Sequence, residues 1–228
     1  MYMMRLILLL LLITISYGIE QISFSGGGAF GAVEIGILKR IISENPKKYD
    51  RYTGISAGGL NCGFLSYYSS INEGVKDAEI MYSNIRNNDV YEILPTTSNS
   101  LLNTEPLYKT LKTIITNKTN EPVIETLIGA VNLYTGNLDT YKYDSSLNTE
   151  DKVKLLMSTS AIPMVFPPIK FKGYMYADGG TLSDELLDIV HSSSYLNITF
   201  ISPFVLFTEN DNPINILEDM ITRTVQIV

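Results

Sequence analysis

The stretch FSGGGAFGAVEIG, residues 24–36, sets three consecutive glycines and a fourth three positions on directly after an alternating run. Ile19–Phe24 alternates apolar and polar residues as a half-buried strand does. Residues 29–43 then carry Val33, Ile37 and Ile41 beside Ile35, Leu38 and Ile42, the stripe of an amphipathic helix. A second cluster, Gly54-Ile55-Ser56-Ala57-Gly58, follows a short strand at 52–55 and precedes small and apolar residues, 57–68, that suit a buried helix. Strand, glycine turn, helix, twice over, predicts a parallel sheet covered by helices. The fold class expected is therefore three-layer α/β/α with a mainly parallel central sheet.

The rest of the chain extends this pattern. Helices are expected over 74–86 and 106–115, with a polar, turn-prone stretch at 95–104. A strand within 123–134 meets the turn Thr135-Gly136-Asn137 and pairs with a second at 138–143. After a helix at 149–158, Pro163, Pro167 and Pro168 forbid helical continuation. Residues 169–171 and 174–176 flank Lys172-Gly173 as a hairpin that leads to Asp178-Gly179-Gly180. Ser183 caps a helix through Val190, and 196–201 is the last strand. With no repeat or linker, residues 19–228 read as one domain.

Composition removes several function classes. Hydrophobic residues at 45% and charged residues at 18% suit a folded chain. A net charge of -7, with no basic run beyond Lys39-Arg40 and Lys47-Lys48, argues against a nucleic-acid face. Cys62 is the only cysteine, which precludes an intrachain disulfide and a cysteine metal cluster. Arg5, the apolar run 6–15 and then Ser16, Tyr17 and Gly18 have the outline of a secretory signal peptide over residues 1–18. That run is shorter than the roughly 18 residues a membrane span needs, so an N-terminal anchor is the alternative reading. The expected location is secreted or luminal. Sequons stand at Asn117 and Asn197, the latter inside an expected strand.

Gly26-x-Gly28-x-x-Gly31 between strand and helix fits a dinucleotide-binding turn. Such a site wants an acidic residue ending the second strand, whereas here Asp50 precedes that strand and the strand ends in Gly-x-Ser-x-Gly. The latter is the pattern of a nucleophile elbow, a sharp turn that exposes a serine hydroxyl at the sheet edge, with Gly54 and Gly58 as the small neighbours it needs. If the two strands lie side by side, the backbone N–H groups of Gly27 and Gly28 can face an ester carbonyl attacked by Ser56. Two bases are available. His191, the one histidine, gives the order Ser56, Asp178, His191 of a hydrolase triad, but it also sits where a helix C-terminus favours a cation without catalysis. Asp178 alone, shielded from water and next to glycines that allow close approach, completes a dyad.

Taken together, Gly26-Gly27-Gly28-Ala29-Phe30-Gly31, Gly54-Ile55-Ser56-Ala57-Gly58 and Asp178-Gly179-Gly180 resemble the patatin-like phospholipases, lipid acyl hydrolases with a Ser-Asp dyad. The resemblance continues through residues 102–107 and 160–168, and so covers most of 19–203. The chain departs from the family after Gly180, with Thr181-Leu182-Ser183-Asp184 where an Asn and then a Pro are usual.

The resemblance implies a metal-independent, cofactor-free serine acyl hydrolase of phospholipase A or lysophospholipase type. Ser56 is its nucleophile and Asp178 its general base, with Gly26, Gly27, Gly28 and Gly31 forming the oxyanion hole. Gly54 and Gly58 shape the elbow, and Gly179 and Gly180 the base loop. Its expected partners are a phospholipid or lysophospholipid substrate and a transient membrane surface, with no nucleic acid. Phe166, Pro167, Pro168 and Ile169 read either as an acyl groove or as a proline-stiffened core edge. A catalytically silent lipid-binding protein and an acyltransferase on the same dyad are the alternative functions.

Overall fold

A computed structural model describes residues 18–93, 100–183 and 196–203. β1 (Ile19–Phe24) enters the glycine cluster, where residues 28–30 form one 3-10 turn before α1 (Gly31–Glu44) begins. β2 (Arg51–Ile55) leads directly through Ser56 into α2 (Ala57–Leu65), followed by α3 (Ile71–Asn84). A two-residue ladder joins β3 (Glu92–Ile93) to β4 (Leu102–Asn103) ahead of α4 (Glu105–Thr116). β5 (Glu125–Asn132), β6 (Leu138–Lys142) and α5 (Thr149–Thr159) come next. The β7 (Ile169–Phe171) and β8 (Tyr174–Asp178) hairpin follows, and β9 (Leu196–Ile201) is the last described strand.

Hydrogen-bonded neighbours run β7-β8-β5-β2-β1-β9, with β6 also on β5. The β9-β1-β2-β5 portion is parallel, whereas β6, β8 and β7 add antiparallel pairings. Helices flank this mostly parallel sheet, as the glycine-turn pattern predicts. Where α1, α2 and α3 pack on β1 and β2, the core is Ile22, Phe24, Ile35, Leu38, Cys62 and Val75. Where α4 and α5 meet β5, β7 and β8, it is Leu107, Leu111, Ile128, Val153, Leu156, Phe171 and Tyr176. Burial on this scale supplies the main driving force for the fold.

One detail of register positions the site. β6 pairs with residues 127–131 of β5 and overlaps the segments used by β2, 125–129, and by β8, 130–132. One strand edge cannot serve two partners at the same residues, so β2 and β8 share the edge of β5 opposite β6. They approach from opposite directions and stop end to end, with Ile55 against Gly129 and Asp178 against Ala130.

Several elements differ from the expected bounds for local reasons. The helix expected from residue 29 starts at Gly31, because Gly28 takes φ 53° and the chain must first turn. The strand expected at 174–176 extends to Asp178, whose pairing with β5 is a tertiary contact. The helix expected after Ser183 and His191 lie in 184–195, outside the described residues, as does the expected signal segment apart from Gly18. Asn197 lies within β9, and its side-chain amide donates to Glu20 Oε1 at 2.9 Å.

Candidate active site

Ser56 sits at the junction of β2 and α2 with φ 56° and ψ -128°. This is sparsely populated backbone for a residue with a Cβ, at a typical cost of about 1–3 kcal/mol. It persists because its surroundings hold it. A Cβ on Gly54 would overlap the Gly58 carbonyl, and one on Gly58 would overlap Ser25 O and the Phe24 backbone. Only glycine lets the chain double back this tightly. The Ser56 N–H donates to Thr159 Oγ1 at 2.8 Å, and Thr159 Oγ1 donates to the Gly129 carbonyl at 2.6 Å. Thr159 thus bridges the point where β2 leaves β5 and replaces the ladder bond lost there.

The Ser56 hydroxyl donates to Asp178 Oδ2 at 2.7 Å. The other carboxylate oxygen, Oδ1, accepts the Gly180 N–H at 2.8 Å, and the Asp178 N–H donates to Ala161 O at 2.9 Å. Ser56 is 5% and Asp178 4% exposed. Burial pushes the Asp178 carboxyl up to about 6, against the opposing pull of the Ser56 hydroxyl and the Gly180 amide. The group remains anionic at neutral pH and is a stronger base than a solvated aspartate. Gly179 fits because a Cβ there would stand 2.6 Å from Ile55 Cγ2.

Of the three glycines after β1, Gly26 lies against the same hydroxyl. A Cβ on Gly26 would be 3.2 Å from Ser56 Cβ and 3.8 Å from its Oγ. One on Gly27 would meet Pro203 Cγ at 2.8 Å, whereas Gly28 faces open space and is required for its positive φ. Gly31 is set by crowding, since a Cβ would stand 2.6 Å from the Tyr82 hydroxyl. Among the described residues, no acceptor takes the amide N–H of Gly26, Gly27 or Gly28. An N–H without an acceptor among the described residues is the kind of donor that developing negative charge calls for, and a helix N-terminus, here that of α2, favours such charge.

Beneath this loop lies a buried polar set that the sequence motifs did not reveal. Glu34, fully buried on α1, accepts Asn61 Nδ2 at 2.8 Å on Oε2 and lies 3.5 Å from Ser25 Oγ through Oε1. Asn61 Nδ2 also donates to Gly31 O at 3.0 Å, and its Oδ1 accepts the Tyr82 hydroxyl at 2.7 Å. Ser25 Oγ donates to Gly26 O at 3.0 Å. Carbonyls at both ends of the glycine loop are therefore tied to one network. Burial raises the Glu34 carboxyl well above the usual carboxylate range, favouring its protonated form.

The Phe166–Ile169 region borders two spaces. Phe166, Pro167 and Ile169 join Thr104, Leu107, Met157, Ser160 and Ala161 around a gap too narrow for water. Pro167, Pro168 and Ile169 also border an open cleft of about 540 Å³ with Glu105, Asp151, Lys154, Lys170 and Lys172 on its walls. Neither space is lined by Ser56 or Asp178. Among the described residues, no cluster of three or more His, Cys, Asp or Glu side chains could hold a metal.

A family model described as Patatin-like phospholipase matches residues 22–191, a span that contains both glycine turns, Ser56 and Asp178. No curated protein sequence matches. Among solved structures, VipD from Legionella pneumophila aligns at 13% identity with a TM-score of 0.48, covering 89% of this chain and 52% of the VipD chain. This chain thus spans about half the length of that protein.

Proposed function

This chain belongs to the patatin-like phospholipase family of lipid acyl hydrolases, and from that premise we propose that Ser56 and Asp178 cleave fatty-acyl esters of phospholipids or lysophospholipids. The observation that carries the reading is the 2.7 Å hydrogen bond from the Ser56 hydroxyl to Asp178 Oδ2, made by a serine at φ 56°. Ser56 Oγ attacks the acyl carbonyl while its proton passes to Asp178 Oδ2. The tetrahedral oxyanion lies against the N–H groups of Gly27 and Gly28 and the N-terminus of α2. Collapse breaks the ester bond, and the departing alkoxide takes the proton from Asp178. Water then attacks the acyl-serine, again losing a proton to Asp178, and free fatty acid leaves with Ser56 restored. No step calls for a metal.

The first strand begins at Ile19, so cleavage after residue 18 leaves the sheet whole, in keeping with a secreted protein. No described helix is long and apolar enough to cross a membrane.

Covalent labelling tests the nucleophile without knowledge of the lipid. An alkyl fluorophosphonate should modify the protein once, on the peptide bearing Ser56, and Asp178→Asn should slow labelling by about 100-fold or more. Labelling on another serine, or at an equal rate in Asp178→Asn, contradicts the assignment.

A further inference from the structure

β5 and β8 run on past the candidate site. Ser56 follows Ile55, the partner of Gly129, and Asp178 pairs with Ala130, so both lie level with Ala130. Beyond that level the Leu133 N–H still bonds the Met175 carbonyl at 2.9 Å. The turn after β5 and the β7–β8 turn then lie side by side, with the Tyr134 and Tyr174 rings 6.2 Å apart. Tyr174 stands four residues before Asp178 in extended β8, which puts its tip about 13 Å beyond Ser56, at the sheet end where the elbow opens.

Side chains at these tips are apolar and face solvent: Tyr134 is 84%, Leu133 51%, Tyr174 47% and Met175 39% exposed. Single exposed hydrophobes are ordinary, but four of them gathered at one end of a sheet, two with their rings in contact, are not. Charge also marks the two segments that form these tips. Residues 133–138 and 169–177 contain no Asp or Glu but include Lys170 and Lys172, in a chain whose net charge is -7. Tyrosine suits the boundary between headgroups and acyl chains, and lysine beside it suits an anionic surface.

We propose that the two hairpin tips dock the protein on an anionic phospholipid surface, holding the Ser56 end of the sheet against the bilayer. The proposal rests on the lipid acyl hydrolase reading for its purpose, but not for its geometry. A bilayer, rather than a groove-binding peptide, is favoured because the tips expose two adjoining tyrosines next to lysines on an otherwise acidic protein.

The test is sedimentation of the full chain with vesicles of phosphatidylcholine alone and of phosphatidylcholine with phosphatidylserine. Hydrolysis of vesicle phospholipid and of a water-soluble short-chain ester is read alongside. Tyr134→Ser/Tyr174→Ser should weaken binding to both vesicles about tenfold or more, and Lys170→Gln/Lys172→Gln should remove only the preference for phosphatidylserine. Both double variants should hydrolyse the soluble ester as the unmodified protein does.

Unchanged vesicle binding in both variants overturns the docking surface, and leaves the hydrolase reading intact if the soluble ester is still cleaved. A concentration-dependent dimer abolished by Tyr134→Ser/Tyr174→Ser, with vesicle binding unaffected, overturns it in favour of a second copy. Tyrosine-dependent vesicle binding without cleavage of either substrate upholds docking and defeats the hydrolase reading.

Discussion

Asp178 is held between burial, which disfavours its charge, and two donors, the Ser56 hydroxyl and the Gly180 amide, which favour it. The balance at about 6 fixes the expected pH dependence. A base works when deprotonated, so turnover should rise as pH increases through about 6 and level off above it, while Asp178→Asn stays inactive throughout. A pH–rate profile of kcat/KM checks this, and a flat profile between pH 5 and 8 contradicts it. Glu34 presents the same conflict with no catalytic purpose visible. Its folded pKa is raised, so its favourable contribution to stability is complete below the ordinary carboxylate range and is lost as pH rises through the raised value. Glu34→Gln keeps a neutral amide beside Asn61 and Ser25. Relative to the unmodified protein it should therefore have a higher Tm at pH 8 than at pH 5, as a calorimetric melt would show.

Among the elements, the glycine turns matter more than the helices they introduce. Gly28 at φ 53° meets no atom within 4 Å of a built Cβ, so Gly28→Val is opposed by backbone strain rather than by a clash. The variant should fold, yet lose about 100- to 1000-fold in kcat because the loop donors swing off the oxyanion. Steady-state kinetics beside a circular dichroism spectrum checks this; near-normal kcat in a folded variant contradicts it. These turns were legible in the sequence because glycine spacing is a local signal, as were β1, β2 and the β7–β8 hairpin. Thr159, Asn61 and Glu34 were not. Each looks like an ordinary helix residue, and its role depends on which strand ends the fold brings together. The meeting of β2 and β8 on one edge of β5 was hidden for the same reason, since register is set by long-range pairing.

For the whole molecule, the sheet brings residues 122 positions apart into one hydrogen bond, and the family match spans both. The sequence left His191 and Asp178 as competing bases. In the structure Asp178 bonds the serine directly, whereas His191 lies outside the described residues. The measurement that tests the central claim most directly is fatty-acid release from phosphatidylcholine and lysophosphatidylcholine vesicles in the presence of a chelator. It would compare the unmodified protein with folded Ser56→Ala, Asp178→Ala and His191→Ala variants. Release is expected from the unmodified protein and from His191→Ala, with a loss of about 1000-fold or more in the other two. Equal loss in His191→Ala would make the site a triad, and no release by the unmodified protein would leave a lipid-binding chain that keeps the fold without the reaction.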